Sequence, residues 1–130
     1  MLILTLRTDK PEAEIGLYND SRQLAYLTWT AHRELSVTIH QKIEELLHGQ
    51  GKSLHDVQGI ACFKGPGSFT GLRIGLTVAN TLAYALHIPV VAREDPRWLE
   101  IGIADLLAGQ DDHVALPAYG SDVHITAPKK

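Results

Sequence analysis

The sequence predicts an α/β domain in which a three-stranded antiparallel meander precedes alternating helices and strands. Three observations support this class. Short apolar runs separated by turn residues fill the first 30 positions. Apolar residues then recur at helical spacing, and after that short apolar runs alternate with helical segments. A length of 130 residues fits one compact domain with a sizeable core.

The meander is predicted from three runs near the N-terminus. "LILTL" (Leu2–Leu6) is a short leucine-rich run typical of a buried strand. "AEIGLYN" (Ala13–Asn19) follows a turn at Pro11, and Asn19–Ser21 forms the next turn signal. "QLAYLTWT" (Gln23–Thr30) is rich in aromatic residues and threonine, which favour a pleated surface. Short turns between three strands predict antiparallel neighbours.

The first helix and the fourth strand follow. Apolar residues at helical spacing predict a helix that contains Leu35, Ile39, Ile43, Leu46 and Leu47. Gly49 stands where a C-terminal cap belongs. Ser53 and Asp56 have the spacing of a capping box, and the apolar run Val57–Phe63 after them predicts a strand.

The rest of the chain repeats the alternation. A nearly uncharged helical segment follows a glycine-rich loop and ends near His87, and Ile88–Ala92 predicts a short strand. Asp95–Pro96 predicts an N-cap and first-turn proline for a helix that reaches about Ala108. The tail 113–130 predicts a strand, a turn and a second strand. The resulting order, β-β-β-α-β-α-β-α, is the layout of the ribonuclease-H-like fold.

Composition excludes several classes. The formal net charge of −3 argues against a general nucleic-acid-binding surface. The single cysteine, Cys62, excludes an internal disulfide and a cysteine-based zinc site. The N-terminus lacks the apolar core of a signal peptide, and Arg73, Asn80 and Pro89 interrupt the apolar stretch around the second helix. We therefore expect a soluble cytoplasmic protein without a membrane span.

The loop "GPGSFTG" (Gly65–Gly71) links a strand to a helix and has two interpretations. Free amides and the helix dipole could attract an anion, which makes Gly65, Gly67, Ser68 and Thr70 candidate anion-binding residues. Lys64 is the charge beside them. Alternatively, Pro66–Gly67 forms a turn, Ser68 caps the helix and Gly71 allows close packing. Upstream, "GQGKS" is not a P-loop, because Leu46 occupies the position of the required glycine.

No residue pattern predicts catalysis, a metal or a cofactor. A ribonuclease-H-type nuclease holds divalent metal with acids at the ends of its strands. Here the first strand ends at Arg7 and the fourth ends at Lys64. The seven histidines have neither HxxxH nor HExxH spacing, and no GxSxG elbow surrounds a serine. The sequence therefore predicts no catalytic residue.

The second helix carries a ridge of small residues at every fourth position: Gly71, Gly75, Ala79 and Ala83. Such a ridge lets another element approach closely. Because the helix is apolar nearly all round, it could be an internal helix of a three-layer domain. Alternatively, it presents an apolar surface to a second protein together with Ile39 and Ile43 of the first helix.

"GPGSFTGLRIG", after a strand that follows a β-β-β-α start, resembles the signature of the TsaB (YeaZ) family. This resemblance implies a lobe of the actin and Hsp70 type and a non-catalytic subunit in threonylcarbamoylation of the transfer-RNA adenosine next to the anticodon. It also implies binding, through a bundle of the first two helices, to a TsaD-like catalytic protein or to a second copy. The interface residues would be Ile39, Ile43, Gly71, Gly75, Ala79 and Ala83. A TsaE-like ATPase would join through that complex.

The chain departs from this family in three ways. Arg7 stands where the family has an aspartate after the first strand, and Leu35 replaces a histidine in "RELS". The chain is also about half as long, which suggests a lobe over 1–92 and a truncated remnant of a second lobe over 93–130. Two other functions stay open, an actin-like nucleotide-binding or phosphotransfer enzyme that uses Gly65–Gly71 and a peptidase-like relative. Whether the chain contacts transfer RNA directly is open as well.

Overall fold

A computed structural model describes residues 1–31, 34–67 and 69–118. The strands are β1 (Leu2–Arg7), β2 (Glu12–Asn19), β3 (Arg22–Thr30), β4 (Gly59–Phe63) and β5 (Val90–Arg93). The helices are α1 (Leu35–Gly49), α2 (Phe69–Leu86) and α3 (Trp98–Leu107). A short 3-10 helix spans Leu54–Asp56. The predicted order of strands and helices is confirmed.

The strands form one mixed sheet in the order β3-β2-β1-β4-β5. The first three strands are antiparallel neighbours, as short connections between them require. β4 and β5 run parallel to β1, with helices in the crossover connections. This is the ribonuclease-H-like arrangement predicted from the sequence.

Strand alternation divides the core between the two faces of the sheet. Leu4, Ile15 and Leu17 belong to the cluster that α1 and α2 cover. Ile3 and Val91 point the other way, into a smaller cluster with α3. In the part of the chain that the structure describes, no helix combines the length and apolar character needed to cross a membrane.

On the face opposite α1 and α2, two tyrosine rings cover a glycine. A Cβ atom built on Gly16 would lie 2.8 Å from Tyr26 Cδ1 and 2.9 Å from Tyr18 Cε1. The same position is 2.6 Å from Thr5 Oγ1, so β2 needs glycine there. Tyr26 donates a hydrogen bond to Glu14 Oε1 at 2.6 Å. Burial and this hydrogen bond raise the pKa of Tyr26. The rings leave Thr5 only 1% exposed.

The outer edge of β5 is closed by residues 110–118, which follow α3. The Val90 amide donates to Asp111 Oδ1 at 3.2 Å, and the Ala92 amide donates to Asp112 Oδ2 at 2.9 Å. Farther along, the Ala115 amide and carbonyl bond the side-chain amide of Asn80 in α2 at 2.7 and 3.0 Å. Carboxylates therefore occupy the edge positions that another strand would take.

Three local predictions are wrong. α1 continues through Gly49, Gln50 is its cap residue, and the left-handed conformation falls on Gly51 (φ 66°). Asp95–Pro96 lies before α3, whose cap residue is the left-handed Arg97. No strand forms over 113–118, and the rest of the predicted C-terminal hairpin lies outside the described residues. In contrast, the capping box of Ser53 and Asp56 is confirmed.

Candidate functional site

The three parallel strands end at one edge of the sheet, where ligand and catalytic sites of open α/β sheets usually lie. β1 ends at Arg7, β4 is followed by Lys64, and β5 is followed by Glu94 and Asp95. The glycine-rich loop before α2 lies at the same edge. We call this group of residues the carboxyl edge.

Arg7 is the centre of the carboxyl edge. Its Nε donates to Asp9 Oδ1 at 2.9 Å, and its Nη2 reaches Asp9 Oδ2 at 3.3 Å and Asp95 Oδ2 at 3.1 Å. The guanidinium carbon lies 3.9 Å from the centroid of the Phe63 ring. One cation thus joins two carboxylates above an aromatic face.

The Arg7 side chain keeps its positive charge. Burial alone would lower its pKa, but the hydrogen bonds to Asp9 and Asp95 and the attraction of both carboxylates outweigh that effect, so the pKa is raised. Its side chain is only 15% exposed, and that of Asp9 only 9%. The Arg7–Asp9 pair is therefore shielded from water, and removing one partner would leave the other charge without compensation.

The loop before α2 is filled by atoms of the chain itself. A Cβ atom on Gly67 would lie 2.7 Å from Asp9 Cβ and 3.3 Å from Asp9 Oδ2. A Cβ atom on Gly65 would lie 2.9 Å from the Ala118 carbonyl oxygen. Both neighbours present oxygen acceptors, which repel an anion. The expectation that Lys64 is the only charge beside this loop is wrong.

These contacts favour the structural interpretation of the loop. Gly65 has φ 103°, a conformation that favours glycine, and its close neighbours allow no side chain. Thr70 lies exposed in the first turn of α2. Ser68, the remaining candidate anion ligand, lies outside the described residues. Anion binding by Gly65, Gly67, Ser68 and Thr70 remains an untested prediction with little support from the surrounding charges.

Sequence reasoning missed Asp9 and Asp95 because it considered only the residues at the strand ends. Each of these acids comes two positions after the last residue of a strand, Arg7 in β1 and Arg93 in β5. An acid just beyond a parallel strand was the signal that could have found them. Among the residues that the structure describes, no group of three or more His, Cys, Asp or Glu side chains is placed to hold a metal ion.

The ridge of small residues on α2 packs within this chain, and its predicted role in a partner interface stays a prediction. A Cβ atom on Gly75 would collide with Thr8 Oγ1 and lie 3.1 Å from Thr8 Cγ2. The Thr8 hydroxyl donates to the Gly71 carbonyl at 2.8 Å. Ala79 is fully buried and Ala83 nearly so. The close approach predicted for this ridge is made to the end of β1 within the same chain.

Ile39 and Ile43, the predicted interface residues of α1, are buried as well, at 0% and 2% exposed. Side chains that are enclosed by their own domain cannot meet a partner without rearrangement. Residues on the opposite sides of the two helices are the ones available. Both sides of α2 are rich in apolar side chains, so periodicity alone could not tell its core side from its outer side, and the six-residue interface stays a prediction.

The available surface, which we call the helical face, contains two large exposed apolar side chains. Val37 of α1 is 73% exposed and Tyr84 of α2 is 84% exposed. Between the helices lies a groove of about 150 Å³ that is lined by His40, Ile43, Glu44, Leu54 and Leu82. Exposed residues of α2 include Arg73, Thr77, Thr81 and Tyr84. A surface with this mixture of apolar and polar groups suits a protein partner.

Comparison with known proteins identifies related sequences. Residues 29–93 match the family model described as TsaD: tRNA N6-adenosine threonylcarbamoyltransferase. The chain is 34% identical over 122 residues to the tRNA threonylcarbamoyladenosine biosynthesis protein TsaB of Escherichia coli, covering 85% of this chain and 50% of that protein. It thus spans about half the length of this curated relative.

Solved structures give the same result. YeaZ from Pseudomonas aeruginosa superposes with a TM-score of 0.67 at 33% identity, over 72% of this chain and 44% of that one. RuvC of Thermus thermophilus superposes with a TM-score of 0.54 at 14% identity, over 92% of this chain and 85% of that one. The second likeness concerns the fold alone.

Proposed function

The chain belongs to the TsaB (YeaZ) family, and from this membership we propose that it is a non-catalytic subunit in the threonylcarbamoylation of transfer RNA. In this role it binds a TsaD-like catalytic protein through the helical face and acts in the cytoplasm. A TsaE-like ATPase would join through that complex, and a second copy of the chain could occupy the helical face when the catalytic protein is absent.

The position of Arg7 carries the non-catalytic part of the proposal. Metal-dependent group transfer at this edge would need carboxylates with free lone pairs. Here the carboxylates of Asp9 and Asp95 both accept hydrogen bonds from one guanidinium. The guanidinium lies between them and offsets one of their two negative charges. The same arrangement disfavours a phosphotransfer enzyme that would use the adjacent Gly65–Gly71 loop.

The helical face carries the binding part. Val37 and Tyr84 are the two most exposed large apolar side chains among the described residues, and a shallow groove lies between their helices. Aromatic residues such as Tyr84 are enriched among the residues that dominate binding energies. Fewer than about 30% of the residues in an interface contribute more than about 1 kcal/mol each, and tyrosine is enriched among them.

Co-purification with a TsaD-like protein from a relative tests the binding proposal. Val37→Asp puts a charge on the helical face and should weaken the complex by about tenfold or more, which corresponds to about 1.4 kcal/mol. Ile101→Asp is the matched control, because Ile101 is also an exposed residue near the start of a helix but belongs to α3, on the other side of the sheet. Equal binding by both variants, or equal loss, would contradict the proposed face.

A further inference from the structure

The two edge strands of the sheet differ in whether their outer hydrogen-bonding groups are occupied. At β5 the edge amides of Val90 and Ala92 are occupied by the carboxylates of Asp111 and Asp112. β3 forms the opposite edge, and in the described part of the chain no strand pairs with its outer side. An open edge presents unpaired amides and carbonyls to any other extended chain.

The open edge has a regular stretch of six residues, Ala25–Thr30. The pairing of β3 with β2 shifts register at Leu24, since Leu17 pairs with Ala25 while Tyr18 pairs with Gln23. Such a bulge limits straight pairing at the start of the strand. The six residues after it contain no charge and no proline, which are the features that commonly block edge pairing.

This stretch is also complementary to itself. A two-fold axis at Leu27 would place Ala25 opposite Trp29 of a second copy, and Tyr26 opposite Thr28. The first pair combines a small with a large side chain on the helix side, where Trp29 Nε1 donates to Thr38 of α1 at 3.0 Å. The second combines an aromatic with a β-branched residue, a stabilising cross-strand pair. Neither contact brings like charges together.

From these observations we propose that the β3 edge, through Ala25–Trp29, pairs antiparallel with the same stretch of a second copy of this chain. The contact joins the two sheets into one continuous sheet with two-fold symmetry. It lies on a different surface from the helical face, so the two contacts are separable by mutation.

Two matched lysine variants test the proposal in this chain. Thr28 and Ala104 are both exposed, on β3 and on α3 respectively, and neither belongs to the helical face. Thr28→Lys adds to the edge a residue that natural edges use against pairing. It should raise the dimer dissociation constant at least tenfold in sedimentation equilibrium. Ala104→Lys makes the same change of charge and should leave the constant within twofold of the unsubstituted chain.

Hydrogen exchange of the unsubstituted chain gives a second readout that does not depend on a variant folding. Amide protection in Ala25–Trp29 should increase with protein concentration, while protection in Leu2–Arg7 of the central strand β1 stays constant. Three results would overturn the proposal. They are a monomer at every concentration, a dimer that Thr28→Lys weakens no more than Ala104→Lys does, or β3 protection that is independent of concentration.

Discussion

Replacing Gly75 with alanine puts one methyl group where α2 touches the end of β1. The added Cβ atom would collide with Thr8 Oγ1 and lie within 3.1–3.2 Å of Thr8 Cγ2 and Cβ. Thr8 is buried, and its hydroxyl donates to the Gly71 carbonyl at 2.8 Å, so the side chain has little room to yield. Either α2 moves outward or Thr8 gives up its hydrogen bond.

The magnitude follows from three opposing effects. Overpacking of this kind costs about 1–3 kcal/mol, and the hydrogen bond contributes about 1 kcal/mol. Alanine in place of glycine inside a helix returns up to about 1 kcal/mol. We therefore expect Gly75→Ala to lower the free energy of unfolding by about 1–3 kcal/mol, measured by urea denaturation followed by circular dichroism.

The Thr8→Ala background provides the control. Alanine at position 8 removes Thr8 Oγ1 and Cγ2, the two atoms nearest to the new methyl group. Gly75→Ala should then be neutral, or stabilise by up to about 1 kcal/mol through helix propensity. The reasoning is refuted if Gly75→Ala stabilises the unsubstituted chain, or if its cost is the same in both backgrounds.

Three further predictions concern single side chains. Thr5 Oγ1 is buried without a hydrogen-bond partner among the described residues, so Thr5→Val should leave the melting temperature unchanged or raise it by an amount equivalent to about 1 kcal/mol. Burial raises the pKa of the Cys62 thiol to about 12, so a thiol reagent at pH 8 should react only after urea unfolds the chain. Burial alone would raise the pKa of Asp112, but hydrogen bonds from Arg93 and the Ala92 amide lower it below the ordinary 3.8. Its stabilising contribution is thus complete above that value and lost as the pH falls through the lowered pKa, and Asp112→Asn should flatten the acid limb of a stability–pH profile.

The strands and helices could be predicted from the sequence because their signals are local. The helical spacing that begins at Leu35 and the apolar run up to Phe63 depend only on neighbouring residues, and both elements occur where they were predicted. Turn chemistry was less informative. Gly49 and Asp95–Pro96 carry ordinary capping signals, yet Gln50 and Arg97 hold the cap positions.

The site could be predicted only in part, because it depends on which elements meet. The spacing of Gly71 and Gly75 correctly indicates a close approach. Only the fold shows that the approaching group is Thr8, 63 residues earlier than Gly71 in the chain. Similarly, Asp9 and Asp95 are 86 positions apart in the sequence and meet through Arg7. A single sequence contains no record of such contacts.

The tyrosines over Gly16 make the domain uneven in thickness. Across β4 and β5 the sheet lies between α2 and α3, whereas across β2 the rings of Tyr18 and Tyr26 replace a second helical layer. Thr5, which faces Gly16 on this side of the sheet, is only 1% exposed. A methyl group at position 16 would lie within 2.6–2.9 Å of Thr5 Oγ1 and of both rings, so these side chains would have to shift apart. The thin half of the domain therefore depends on the absence of one methyl group.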